Sequence, residues 1–248
     1  MAEQDSHGGA LDGSPVALVS AAGRGMGAAC AERLAKDGYR VSVLSPSGAD
    51  ETAAAIRSAG GEVLSFPGSV VEPQDLQSWV EETHVLWGRI DAVVANTGHP
   101  PKGELLELTD EDWHGGLDMV LLHAVRLSRL VTPIFLEQGH GATVVISTFA
   151  AYEPSLDFPI SSALRAGVGA FVKLYADRYA GQGLRMNCLL PGFVDSYPES
   201  ESVVARIPAG RYGRVDEVAS VAAFLLSDDA SYLNGQNLKV DGALARSV

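Results

Sequence analysis

The chain has 248 residues, 46% of them hydrophobic, which suits one large α/β domain with a substantial core rather than two small ones. Its 18 basic and 31 acidic residues leave a net charge of −13, a balance that repels nucleic acid and anionic membrane surfaces. Cys30 and Cys188 fall in apolar runs where a buried, reduced thiol is expected, and they suggest neither a disulfide framework nor a metal site.

Residues 1–14 are polar and glycine-bearing, lack the basic start and apolar run of a signal peptide, and are expected to form a disordered tail. With no apolar stretch of about 18 residues to span a membrane, a soluble cytoplasmic protein is expected. From residue 15 onward, short apolar runs alternate with helix-period stretches. A predicted strand at 16–20 is followed by helix 27–37, strand 40–44, helix 50–59, strand 62–66, helix 73–86 and strand 90–96. One long helix at 110–138 comes next, then strand 142–147, helix 162–180, strand 185–190, helix 215–226 and a last strand at 237–240. Parallel neighbours need a crossover, and helices cover both faces. The alternation therefore predicts a single α/β domain, 15–248, built on a doubly wound, parallel, seven-stranded sheet of Rossmann type. Segment 191–209, rich in Pro, Ser and Glu, is too long for an ordinary connection. It follows a strand's carboxyl end, where such sheets bind ligands, and is a candidate substrate lid.

Directly after the first strand comes Ser20-Ala21-Ala22-Gly23-Arg24-Gly25-Met26-Gly27, leading into a helix. Glycines at 23, 25 and 27 let backbone amides approach a pyrophosphate, and the helix amino terminus favours its negative charge; a tight turn with nothing bound is the alternative. Further along stand Ala95-Asn96-Thr97-Gly98 and Asn187-Cys188-Leu189-Leu190-Pro191-Gly192. The carboxyl-terminal part adds Gly213 to Ala219, Phe224 to Tyr232, and Asn234 to Gly242. Taken in this order, the motifs resemble those of the short-chain dehydrogenase/reductase family over about residues 15 to 245. The resemblance implies a bound nicotinamide dinucleotide, a small-molecule substrate and a homotetramer or homodimer. It also implies that Ser20, Gly23, Arg24, Gly25, Met26, Gly27, Asn96, Gly98, Pro191, Gly192 and Val194 border the dinucleotide.

The end of the second strand sets coenzyme choice, because a carboxylate there would bind the ribose hydroxyls of NAD and repel a 2′-phosphate. Here the residues are Leu44-Ser45-Pro46-Ser47. With Ser45 and Ser47 in place of an acid and Arg24 as a cationic partner, NADP(H) is preferred and NAD(H) is second. Arg24 reads equally well as a solvated loop cation. At the third strand's end Ser69, followed by Val70, replaces the family's adenine-binding aspartate.

The family's Asn, Ser, Tyr and Lys positions correspond here to Val120, Thr148, Ser161 and Arg165, so all four differ. Thr148 keeps a hydroxyl that can donate to a carbonyl oxygen. Ser161 cannot inherit the tyrosine's task, being far less acidic than a phenol near pKa 10 and a ring shorter. Arg165 keeps a permanent charge and a planar fork of donors, suited to ribose hydroxyls or an anionic substrate group, but it does not exchange protons. Two side chains are candidates for the missing proton donor. Tyr152 follows the fifth strand, and His99 lies beside the expected nicotinamide pocket and titrates near neutrality. Each also reads as an ordinary loop residue. Tyr175 and Tyr179 are expected to pack in the core or a subunit contact.

Three functions remain in view. The first is a non-standard NADP(H)-dependent oxidoreductase that moves hydride to a C=N, C=C or C=O group without the tyrosine. The second is a non-catalytic nucleotide-binding homologue, a regulator or inactive subunit. The third is lyase chemistry like that of halohydrin dehalogenases, which place Arg where the lysine stands but retain the tyrosine and fill the nucleotide pocket.

Overall fold

The computed structural model describes residues 13–247, so most of the expected tail, residues 1–12, lies outside the described residues. Seven strands form one parallel sheet: β1 (Val16–Ser20), β2 (Arg40–Ser45), β3 (Val63–Pro67), β4 (Ala92–Ala95), β5 (Gly141–Ile146), β6 (Leu184–Pro191) and β7 (Asn237–Val240). Their order is β3-β2-β1-β4-β5-β6-β7. The direction of winding reverses between β1 and β4, which opens a crevice at their carboxyl ends.

The helices are α1 (Gly25–Lys36), α2 (Asp50–Ser58), α3 (Pro73–Trp87), α4 (Asp110–Leu117), α5 (His123–Gln138), α6 (Pro159–Tyr179), the short α7 (Glu201–Val204) and α8 (Val215–Leu226). Successive strand side chains feed opposite cores, as the two-residue period requires. Val16 and Leu18 pack with Trp79 of α3, Leu127 of α5 and Val172 of α6, whereas Ala17 and Val19 pack with Leu34 of α1 and Ala222 of α8. This two-sided burial explains why the strands are continuous apolar runs. Cys30 and Cys188 are buried free thiols, each pushed up to about 12 by burial.

Local chemistry sets the helix ends. Pro73 and Pro159 occupy first-turn positions, where no amide donor is needed. Thr109 and Asp112 form a reciprocal capping box at α4. The structure starts α6 at Pro159, three residues earlier than the helical period indicates, because apolar spacing does not register a proline start.

The expected single helix at 110–138 is continuous but contains a π-helical turn at Asp118–Leu122, between α4 and α5. That turn carries Val120, buried at the family's asparagine position. Such turns recur at functional sites and leave no mark on apolar spacing. By length and composition Asp110–Gln138 also suffices to cross a membrane, which the apolar-run reading does not anticipate. Its Ala124, Leu127, Val131 and Phe135 are instead buried against the sheet. Tyr175 packs in the core and shares a 2.8 Å hydrogen bond with Thr132.

Candidate active site

The first wall of the site is the turn from β1 into α1. Ser20 Oγ donates to the Asn96 carbonyl at 2.7 Å and accepts the Asn96 N–H at 3.0 Å, while Asn96 Nδ2 donates to the Ala21 carbonyl at 3.2 Å. Asn96 thus ties the β4 end to the glycine loop across the crevice. Ala21 has φ 49° and Gly25 φ 60°, the left-handed backbone that turns the chain sharply. A Cβ on Gly27 would lie 2.3 Å from the Ala21 carbonyl oxygen, so only glycine permits α1 to start this close to the loop. These features fit a dinucleotide's pyrophosphate, which needs bare backbone at a helix start.

The remaining nucleotide-side residues spread along the sheet edge. Ser45 is buried beneath Gly23, where an added Cβ would meet its Oγ at 2.7 Å. Arg24 and Ser47 are both exposed at the open end, where a ribose phosphate would be reached from solvent. Ser69 donates its N–H to Asp75 at 2.8 Å and accepts from the Val71 N–H at 3.4 Å, while Val70 is buried in the core.

Beyond the loop lies a cavity of about 270 Å³. It brings together Met26, Asn96, His99, Thr148, Ser161, Arg165, Pro191, Gly192 and Val194, all of them candidates from the sequence. Thr148 caps a short helical turn, Phe149–Ala151, its hydroxyl accepting the Ala150 N–H at 3.4 Å. Ser161 is buried in the first turn of α6. One turn on, Arg165 is only 6% exposed; its Nη1 donates to the Ile146 carbonyl at 2.6 Å and its Nη2 to the Gly98 carbonyl at 3.5 Å. Burial lowers its pKa to about 10, which leaves it charged at neutral pH. His99 lies on the rim with its ring edge-on to Tyr197, centroids 5.2 Å apart. Desolvation, followed by Arg165 and Lys102, holds its pKa below the usual histidine value.

The structure does not bring Tyr152 to this cavity. Its side chain is half exposed in a separate depression between α6 and Asn237, with Lys239 Nζ 5.7 Å from the ring centroid. Position along the loop after β5 sets neither side-chain direction nor reach, so proximity in sequence does not make it a proton donor here. Two phenols that sequence reasoning missed do line the cavity, Tyr197 and Tyr212. Tyr197 belongs to the segment expected to form a lid. Tyr212 arrives through the isolated bridge between Val194 and Gly213, a long-range contact that no local pattern announces. Also missed were Ser147, Lys102 and the aromatic wall of Phe149, Phe158 and Phe193.

A parallel sheet with this order, a glycine loop at its switch point and a cavity beside it define a dinucleotide-binding α/β domain. Comparison with known proteins narrows the class. The family model described as enoyl-(acyl carrier protein) reductase matches residues 20–244. The 3-oxoacyl-(acyl-carrier-protein) reductase of Escherichia coli (strain K12) is 31% identical over 238 residues, spanning 92% of this chain and 96% of that protein. The protein of the same name from Synechocystis sp. is 32% identical, with the same 92% and 96% coverage. Dehydrogenase/reductase SDR family member 4 of Oryctolagus cuniculus is 29% identical over 92% of each chain. The chain belongs to the short-chain dehydrogenase/reductase family, and by that kinship it is an oxidoreductase of the NAD(P)-dependent type.

Proposed function

We propose that this protein is an NADP(H)-dependent oxidoreductase of non-standard chemistry, acting on a small C=N, C=C or C=O substrate without the family's tyrosine. The reading rests on one observation: Thr148, Ser161 and Arg165 meet in a single cavity with Met26, Asn96, Pro191 and Gly192. The loop from Ser20 to Gly27 would hold the coenzyme's pyrophosphate, with Arg24, Ser45 and Ser47 toward the adenosine ribose and Ser69 and Val70 toward the base. When bound, the coenzyme supplies the hydride.

The chain's own residues then govern charge and protons. Reduction of a carbonyl or enone places an electron pair on oxygen. Thr148 donates a hydrogen bond to that oxygen, and Arg165 stabilises the developing charge. An enone whose enolate is held by Thr148 and Arg165 needs no phenol at the moment of hydride transfer, so it suits a site with Ser161 in the tyrosine's place. Where a proton is needed, Tyr197 is the acid, and His99, neutral at pH 7, orients it edge-on. The similar proteins of Escherichia coli and Synechocystis sp. are named 3-oxoacyl-(acyl-carrier-protein) reductases, which supports reduction as the direction. We further propose a cytoplasmic homodimer or homotetramer, which the exposed Leu136 of α5 and Leu174 of α6 favour.

NADPH oxidation followed with imine, enone and ketone panels tests this reading. Turnover on at least one panel is expected, reduced on the order of tenfold or more by Thr148→Val and by Tyr197→Phe. Tight NADPH binding with no turnover on any panel would instead support the second reading, a non-catalytic nucleotide-binding homologue. That alternative draws on the Arg165 bond to Ile146, which also serves as a clamp between α6 and β5.

A further inference from the structure

In a chain with 31 acidic and 18 basic residues, the cavity runs against the overall balance. Among the described residues its walls include Lys102, Arg165 and His99 but no aspartate or glutamate. Arg165 also differs from the arginines that form ion pairs. Arg33, Arg89, Arg126, Arg211 and Arg214 each face a carboxylate, and Arg185 donates to four carbonyls around the end of α8. Arg165 is more deeply buried than any of these, yet its only hydrogen bonds among the described residues go to two neutral carbonyls. Those bonds leave part of its five-donor fork for a ligand.

A second observation is independent of charge. The rest of the wall is aromatic: Phe149, Phe158, Phe193, Tyr197 and Tyr212, with Lys102 Nζ 4.8 Å from the Phe158 ring centroid.

We infer that this cavity binds a small organic acid with an aromatic body, its carboxylate received by the Arg165 guanidinium and its ring held among the aromatic side chains. This deepens the proposed function by naming the substrate class, and it rests on that reading only for what happens after binding. A carboxylate on a buried guanidinium forms charge-assisted hydrogen bonds that the corresponding amide cannot match. Lys102 lies at the exposed rim and steers the anion inward.

The test is calorimetry of the full-length protein with cinnamate and, separately, cinnamamide, each with and without NADP⁺, alongside a titration with NADPH alone. Wild type is expected to prefer the acid by on the order of tenfold to a hundredfold. Arg165→Met should bring the two ligands close to equal affinity, and Arg165→Lys should restore part of the preference. If the Arg165→Met protein fails to fold, Arg165→Lys decides alone, with an expected loss of several-fold in acid affinity and none in amide affinity. Equal binding of acid and amide, or binding of neither, by folded wild type overturns the inference. NADPH binding without acid preference sinks it alone, whereas acid preference with no binding of NADPH sinks the oxidoreductase reading and leaves it standing.

Discussion

His123, at the first position of α5, offers a quantitative test of the charge distribution around Arg165. The imidazole is 1% exposed, and its Nε2 has no hydrogen-bond partner among the described residues. Burial, followed by the Arg165 and Arg126 charges, lowers its pKa to about 3 from an ordinary 6.5. Above pH 6.5 the ring is neutral whether the chain is folded or not, so it contributes nothing to pH dependence there. As pH falls from 6.5 toward 3 the unfolded chain takes up a proton that the folded one refuses. Stability then declines by about 1.4 kcal/mol per pH unit from this residue alone. Between pH 7 and pH 5 the accumulated loss is about 2 kcal/mol. Urea unfolding of wild type and His123→Phe at pH 7, 6 and 5 measures it. The carboxylates held below their usual range, Asp91 and Glu217 among them, titrate in both proteins and cancel in the difference. The variant's stability should fall by about 2 kcal/mol less than wild type's over that interval, with unchanged m-values. Parallel pH profiles for the two proteins would refute the argument, because they would mean that the ring is hydrated or paired in the folded state.

Two further perturbations address the site itself. Restoring the family's pair with Ser161→Tyr and Arg165→Lys should raise kcat/KM for a simple ketone on the order of a hundredfold, since a positioned acid is worth about 10²–10⁴; steady-state kinetics with NADPH decide it, and no gain in a protein that still binds NADPH would show that more than the lost phenol limits carbonyl reduction. Gly27→Ala puts a methyl group 2.3 Å from the Ala21 carbonyl oxygen and 2.8 Å from Asn96 Nδ2. The loop must shift, so fluorescence titration should show NADPH affinity lowered tenfold or more, with a stability loss of about 1–3 kcal/mol.

The fold was legible because the central strands are buried on two faces and announce themselves as short apolar runs, such as 16–20 or 142–147, between helical periods. Glycines 23, 25 and 27 were legible for the same kind of reason: a positive φ or a missing Cβ leaves a residue-type signature. The altered pair at Ser161 and Arg165 was visible as a departure from a spaced motif, and the structure places both in the cavity. Side-chain direction was not legible. Tyr152 and Tyr197 are both tyrosines on loops after strands, and only the path of the backbone sends the second into the cavity and leaves the first outside it. The π turn at Asp118–Leu122 was hidden too, because one extra residue in a helical turn does not disturb the apolar spacing enough to be seen.

The least legible property of the site is that, among the described residues, Arg165 has no carboxylate beside it. No sequence pattern records the absence of a partner in space. Energetically such an arrangement is costly, since a buried charge is normally offset by an opposite one, and the lowered pKa values of Arg165 and of neighbouring His123 both reflect desolvation that no acid relieves. A buried guanidinium whose bonds go to two carbonyls retains donors that a ligand could engage, which is the ground of the inference above. The substitution of arginine for the family's lysine therefore does more than retain a positive charge. It presents that charge as a planar fork, a geometry that fits a carboxylate better than it fits a proton relay.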